Sequence, residues 1–116
     1  MKKLTLQITR NNFDAILQGT QKIETRYIYP NTAKRYFVDP DAEELTLREY
    51  DVLYLINGRR KDSPRLTVEV KDVEWHIMVD EETGEDVVYV EDGTEYLGAM
   101  VIYHLGKVLS TENIQL

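Results

Sequence analysis

The chain has 116 residues, a length typical of one domain, and a formal net charge of −7. It contains no cysteine, which excludes disulfides and thiolate metal sites. The acidic balance excludes a protein that coats long nucleic acids, because such binding requires many clustered Lys and Arg side chains.

The distribution of apolar residues indicates a non-membrane protein. No apolar run approaches the ~20 residues that would span a bilayer. Polar residues interrupt the N-terminal segment before a signal peptide could form. We therefore expect a single domain over residues 1–116 that is cytoplasmic, has no membrane partner and binds no cofactor or metal.

The N-terminal elements follow clear periodic patterns. Residues 4–9 alternate apolar and polar side chains, which predicts a half-buried strand. A helix of about two turns follows, with Asn11 or Asn12 as its N-cap and Gly19 as its left-handed C-terminal residue. The predicted apolar face of this helix consists of Phe13, Ile16 and Leu17.

Alternation resumes in residues 21–29, which predicts a second strand. One face of this strand carries Ile23, Thr25 and Tyr27. The opposite face carries three charged residues, Lys22, Glu24 and Arg26. A polar loop over residues 33–47 is expected next, with one helical turn at 42–45.

The rest of the chain predicts strands and turns. Strands are expected at 50–56, at 65–75 with a bulge near 71–72, and at 99–105 before Gly106. Two further segments, 76–79 and 86–90, are expected to flank an acidic hairpin tip at 80–85. The absence of a second convincing helix excludes parallel βαβ repeats. We expect a mainly β fold with a short α-helix (α+β), closed as a mixed or antiparallel β-barrel.

Residues 13–26 resemble the signature of ASCH domains, in which a short helix ends in glycine and runs into a strand reading Gly-x-Lys-x-x-Glu-x-Arg. Residues 50–55 and 68–73 are similar to later strands of the same family, and residues 105–106 resemble its closing turn. The resemblance implies a PUA-like pseudobarrel, a fold associated with RNA binding and RNA modification, with a cleft beside the helix–strand junction. The lysine of the family signature is Gln21 here, and Lys22 is the next residue.

The resemblance implies a ligand cleft formed by Gln21, Lys22, Glu24 and Arg26. In this cleft the Glu24 carboxylate would accept hydrogen bonds from a base or an amine, and the two cations would hold a phosphate or carboxylate. The alternative interpretation is a solvated strand face whose ion pairs each contribute ~0.2–1 kcal/mol. Our first hypothesis is a binding module for RNA or a small nucleotide-like ligand.

The alternative function is a small hydrolase that acts on a modified nucleoside. Some small ASCH proteins are acetylcytidine amidohydrolases that use a Lys, a Thr and a Glu. Those positions fall here on Gln21, on Glu24 and in the region replaced by residues 80–85, so the catalytic set is not reproduced. The hydrolase hypothesis therefore requires Lys22 in the cleft as nucleophile or base.

Three other features have a functional and a structural interpretation. The cluster of Arg59, Arg60 and Lys61 could contact phosphates, or it is a charged exposed turn. His76 and His104 lack the spacing of metal ligands, and we expect them to pack. Trp75 is expected to be a core or rim anchor rather than a stacking platform.

Overall fold

The computed structural model describes residues 1–114. Strands hold 48% of them and helices 11%, which confirms a mainly β class with little helix. No helix within these residues has both the length and the apolar composition needed to cross a membrane. In chain order the elements are β1 (Lys3–Gln7), α1 (Arg10–Gln18), β2 (Ile23–Ile28), α2 (Ala33–Tyr36), β3 (Val52–Ile56), β4 (Arg65–Ile77), β5 (Val88–Glu91), β6 (Thr94–Leu97) and β7 (Ala99–Glu112).

Five strands form a mixed sheet in the order β1-β3-β4-β7-β2, and β5 pairs with β6 in a separate two-stranded sheet. β1 runs parallel to β3, with Leu4 beside Leu53 and Leu6 beside Leu55. β3 and β4 are antiparallel. The described strands do not form a closed barrel, so barrel closure stays a prediction.

The described residues divide into two compact units. Unit 1 consists of residues 1–24, 49–72 and 103–114, and unit 2 consists of residues 25–48 and 73–102. The boundary between them falls inside β2, β4 and β7. The expectation of a single domain over residues 1–116 remains a prediction.

The core of unit 1 follows the apolar periodicity of its sequence. β1 buries Leu4 and Leu6 and leaves its other residues exposed, as the alternation predicted. In α1, Phe13 and Ile16 are buried, whereas Leu17 is only half-buried. Of the predicted apolar face, Phe13 and Ile16 therefore belong to the core, and Leu17 is only partly covered.

The start of α1 differs from the prediction. Thr9 is the N-cap, with φ −70° and ψ 156°, and its carbonyl accepts the Phe13 N–H at 2.9 Å. Asn11 and Asn12 lie inside the first turn, so neither is the cap. The helix end was predicted correctly, because Gly19 has a left-handed φ of 80°.

The helical turn of unit 2 lies earlier in the chain than the predicted position at 42–45. The turn is α2, and residues 42–45 are not helical. The Asp39 carboxylate accepts the Asp41 N–H at 3.0 Å, an arrangement that competes with helix formation at this point. An antiparallel bridge between Phe37 and Leu47 closes the rest of the loop predicted over residues 33–47.

β4 and β7 are longer than predicted, and β4 takes in the first residues of the predicted segment 76–79 by continuing to Ile77. The turn at 80–85 between two paired flanks is confirmed by the antiparallel bridge between Val79 and Asp86 and by the 2.8 Å hydrogen bond from Asp80 N–H to the Glu85 carbonyl. β7 continues through Gly106 instead of turning there. A Cβ on Gly106 would overlap the Glu69 side chain, so this glycine permits close packing and does not mark a turn.

Candidate ligand-binding site

The junction between α1 and β2 is a tightly hydrogen-bonded turn. The Ala15 carbonyl accepts the N–H groups of Thr20 and Gln21 at 2.9 and 3.1 Å. It also accepts the Thr20 hydroxyl at 3.1 Å. The Lys22 carbonyl accepts the Leu105 N–H at 2.8 Å, which ties the end of the junction to β7. The backbone around the predicted cleft residues is thus fixed by local contacts and by β7.

The structure brings Gln21 and Glu24 together. The Gln21 side-chain amide donates to the Ile23 carbonyl at 2.9 Å and to the Glu24 carboxylate at 3.3 Å. Glu24 is only 5% exposed, which is unusual for a carboxylate. The interpretation of this position as a solvated strand face is therefore wrong for Glu24.

Lys22 and Arg26 have different surroundings. Lys22 precedes β2 and is exposed, and a Cβ placed on Gly19 would lie 3.8 Å from its Nζ atom. Arg26 is half-buried in β2 and belongs to unit 2, whereas Gln21, Lys22 and Glu24 belong to unit 1. A single cleft formed by all four residues remains a prediction.

Unit 1 contains a separate open pocket of about 640 Å³. One wall is a face of α1, and the other is the connection between β3 and β4, residues 57–64, which we call the arginine loop. None of the four predicted cleft residues lines this pocket, which we call the arginine pocket. Its polar lining includes Arg10, Asp14 and Gln18 from α1, Asn57, Arg59, Arg60, Asp62 and Ser63 from the arginine loop, and Asn113.

Hydrogen bonds fix both ends of the arginine loop. The Asn57 N–H donates to the Pro64 carbonyl at 3.0 Å, which closes the loop. The Asn57 side-chain amide donates to the Ile8 carbonyl at 2.9 Å, which anchors the loop to the residue after β1. The Asn113 side-chain amide donates to the carbonyls of Lys61 and Ser63 at 3.3 and 3.2 Å. The loop is thus held at its base and near its tip.

Ser63 organises the interior of the loop. It is 6% exposed, and its hydroxyl oxygen accepts the Arg60 N–H at 2.9 Å. Gly58 has a φ of 121°, and a Cβ added there would lie 2.7 Å from the Ser63 Oγ atom. This position therefore requires glycine on two independent grounds, backbone conformation and space.

The cations of the pocket differ in their pairing. Arg10 and Asp14 form an ion pair at 3.1 Å along one face of α1. Arg59, Arg60 and Lys61 are exposed, and within residues 1–114 their charged groups make no ion pair or side-chain hydrogen bond. A fixed loop that presents guanidinium groups beside a pocket suits a phosphate or carboxylate ligand.

The formal charge is distributed unevenly between the units. Unit 1, taken to the chain end, has ten Lys and Arg and eight Asp and Glu, a net charge of +2. Unit 2 has four Lys and Arg and thirteen Asp and Glu, a net charge of −9. The acidic total that argued against binding of long nucleic acids thus comes from unit 2, and the arginine pocket lies in the unit with a positive balance.

The other candidate residues do not form a metal centre. No group of three or more His, Asp or Glu suited to a metal ion occurs within the described part of the chain. His76 is exposed and lies 3.5 Å from the Glu74 carboxylate, so the prediction that it packs is wrong. Trp75 is half-buried and makes an edge contact with Phe37 at 5.2 Å, as expected for a rim anchor.

Comparison of the chain with protein-family models, curated proteins and solved structures found no match.

Proposed function

We propose that this chain is a binding module for a nucleotide-like ligand or a short RNA segment, with the PUA-like pseudobarrel fold of ASCH domains. The fold proposal is supported by the resemblance of residues 13–26 to the ASCH signature. It is also supported by the mainly β composition with a helix and a Gly19 C-cap in the expected places.

The observation that carries the proposed function is the arginine pocket. Arg59 and Arg60 lie on a hydrogen-bonded loop beside an open pocket in the unit with net positive charge. Because their guanidinium groups have no carboxylate partner within residues 1–114, a phosphate can contact them without displacing an existing ion pair. Arginine also presents a planar donor set that matches two phosphate oxygens at once.

The junction residues of unit 1 have a second role in this proposal. Gln21 offers an amide and Glu24 a carboxylate, which together provide the donors and acceptors that read the edge of a base. Lys22 would supply positive charge near that edge. These assignments follow the ASCH resemblance and the hydrogen bond between Gln21 and Glu24.

The contact between Gln21 and Glu24 does not favour the hydrolase alternative. Gln21 rather than Lys22 donates to Glu24, and a glutamine neither supplies nor accepts a proton near neutral pH. Lys22 is exposed, which gives its amine no desolvated environment. We therefore propose binding as the function and no reaction.

The proposal is tested by titrating the protein with 5′-adenosine monophosphate and with a short single-stranded RNA, with affinity measured by calorimetry. Arg59→Ala with Arg60→Ala should weaken both ligands about tenfold or more, since each loses a charge-assisted contact. The matched control is Lys71→Ala with Lys107→Ala, which removes the same charge from exposed positions of unit 1 outside the pocket. An equal loss in both double variants, or no binding of either ligand by the unaltered protein at millimolar concentration, would contradict the proposal.

The junction residues are tested separately with the same ligands. Glu24→Gln should weaken adenosine monophosphate and leave inorganic phosphate unchanged, because the amide replaces an acceptor oxygen with a donor but does not touch the phosphate contacts. If Glu24→Gln left adenosine monophosphate unaffected while the arginine variants weakened it, the junction would have no role in the site.

A further inference from the structure

Exposed apolar side chains are concentrated in unit 2. Within residues 1–114, twelve large apolar or tyrosine side chains are exposed, and nine of them belong to this unit. Single exposed apolar residues are ordinary, but a concentration of them marks an interaction surface. Leu97 is 52% exposed and pairs across the β5–β6 hairpin with Val88, which is 45% exposed.

Several of these residues border one groove. The groove has a volume of about 280 Å³ and includes Tyr29, Tyr96 and Leu97 among its lining residues. Phe37 and Trp75 also line it and contact each other edge to face. We call it the aromatic groove. This volume lies at the lower end of the ~300–1,000 Å³ that is usual for small-molecule sites, and it has room for one or two side chains of a partner.

The charge around the groove restricts its occupant. Residues 80–95, which include the turn before β5 and most of the β5–β6 hairpin, contain eight Asp and Glu and no Lys or Arg. Glu95 also lines the groove. With a net charge of −9, unit 2 repels nucleic acid, and a second copy of the same surface would bring like charges together. An apolar groove beside an acidic hairpin is complementary to a basic segment that carries an apolar anchor.

We infer that the aromatic groove of unit 2 docks a Lys- and Arg-rich segment of another protein, with one leucine or phenylalanine of that segment in the groove and its basic residues facing residues 80–95. Burial of the anchor supplies affinity, and the acidic residues supply attraction and register. The inference is independent of the proposed nucleotide site, since every residue it uses belongs to unit 2.

The test uses synthetic peptides in which leucine, isoleucine or phenylalanine is flanked by lysines and arginines. The chain has a single tryptophan, Trp75, and it lines the groove, so its fluorescence reports occupancy directly when the peptides contain none. Two control peptides replace the apolar anchor by glycine or the basic residues by glutamates. We expect a change in Trp75 emission with the basic anchored peptides and none with either control.

Matched variants locate the binding. Leu97→Glu should weaken the peptide about tenfold or more, because it places a charge where the anchor binds. The control is Leu109→Glu, since Leu109 is a similarly exposed leucine, 47% against 52%, in unit 1. Glu95→Lys should weaken the basic peptide while preserving the apolar lining, and added salt should do the same.

Five outcomes would overturn the inference. The first four are failure of all basic anchored peptides to bind at millimolar concentration, equal binding of the glycine control, equal loss in Leu97→Glu and Leu109→Glu, and self-association of the protein that Leu97→Glu abolishes. The fourth result would show that a second copy of the chain occupies the groove. Binding of RNA that quenches Trp75 and is lost in Leu97→Glu would also overturn the inference.

Discussion

At the residue scale, Glu24 combines deep burial with a polar neighbour three positions earlier in the chain. A buried carboxylate costs free energy unless hydrogen bonds replace its hydration. The Gln21 amide supplies one such bond, and the same amide also donates to the Ile23 carbonyl. Gln21 and Glu24 thus form a hydrogen-bonded pair. Substitutions can separate what the pair contributes to protein stability from what it contributes to ligand binding.

We predict that Glu24→Ala lowers the free energy of unfolding by about 1–3 kcal/mol, because it leaves a half-buried Gln21 donor with one partner fewer. Gln21→Ala should cost as much or more, since it leaves the buried Glu24 carboxylate with one hydrogen bond fewer. Urea denaturation of both single variants and the double variant gives the coupling between them. Losses that simply add in the double variant would contradict a direct interaction.

Gly58 gives a second prediction at this scale. Gly58→Ala should lower the free energy of unfolding by about 1–3 kcal/mol or more, because both its φ of 121° and the nearby Ser63 Oγ atom oppose a side chain. Gly84→Ala is the control for backbone strain alone, since Gly84 has a φ of 73° and nothing within 4 Å of an added Cβ. Denaturant titration should show the larger loss for Gly58. Equal losses would mean that the contact with Ser63 does not shape the arginine loop.

At the element scale, periodic segments were predictable and turns that depend on distant residues were not. The alternation around Leu4 and Leu6 correctly predicted β1. The glycine at position 19 correctly predicted where α1 ends. The β5–β6 hairpin was missed although Asp92 and Gly93 give a recognised turn signal, with φ values of 50° and 76°. Nothing in the sequence could show that Gly106 lies within a strand, because the reason is the proximity of Glu69 from β4.

The candidate site was predictable to a similar extent. The adjacent cations Arg59 and Arg60 are visible in the sequence as a basic cluster, and the ASCH resemblance pointed to Gln21 and Glu24. The contribution of Asn113 was not predictable, since it lies 50 residues from the Ser63 carbonyl that it contacts. The pocket beside α1 also required the fold, because periodicity places α1 residues on a face but does not show what opposes them.

The packing of α1 leads to a prediction that compares two adjacent residues. Ile16→Ala should lower the free energy of unfolding by about 2–5 kcal/mol, because Ile16 is 2% exposed and its loss leaves a cavity. Leu17→Ala should cost clearly less, since Leu17 is half-buried and lines the open arginine pocket. Thermal or urea denaturation of the two variants measures the difference. A loss for Leu17→Ala equal to that for Ile16→Ala would place Leu17 in the core after all.

At the scale of the whole molecule, the total charge is a poor guide to what the chain binds. The value of −7 combines a unit of +2 with a unit of −9. Electrostatic attraction at 0.1 M salt acts over ~10 Å, so a ligand responds to the charges near its own site rather than to the sum. The arginine pocket and the aromatic groove can therefore favour ligands of opposite charge.

This distribution predicts a shallow dependence of RNA affinity on salt. If the contacts are confined to Arg59 and Arg60, two phosphates are neutralised, and the logarithm of the association constant should fall with the logarithm of salt concentration with a slope of about −1.4 for a single strand. The slope should approach zero in the variant with Arg59→Ala and Arg60→Ala, and it should not steepen as the RNA is lengthened. Calorimetric titrations at several salt concentrations measure it. A slope steeper than about −3, which corresponds to four or more phosphate contacts, would show that RNA binds an extended surface rather than the arginine pocket.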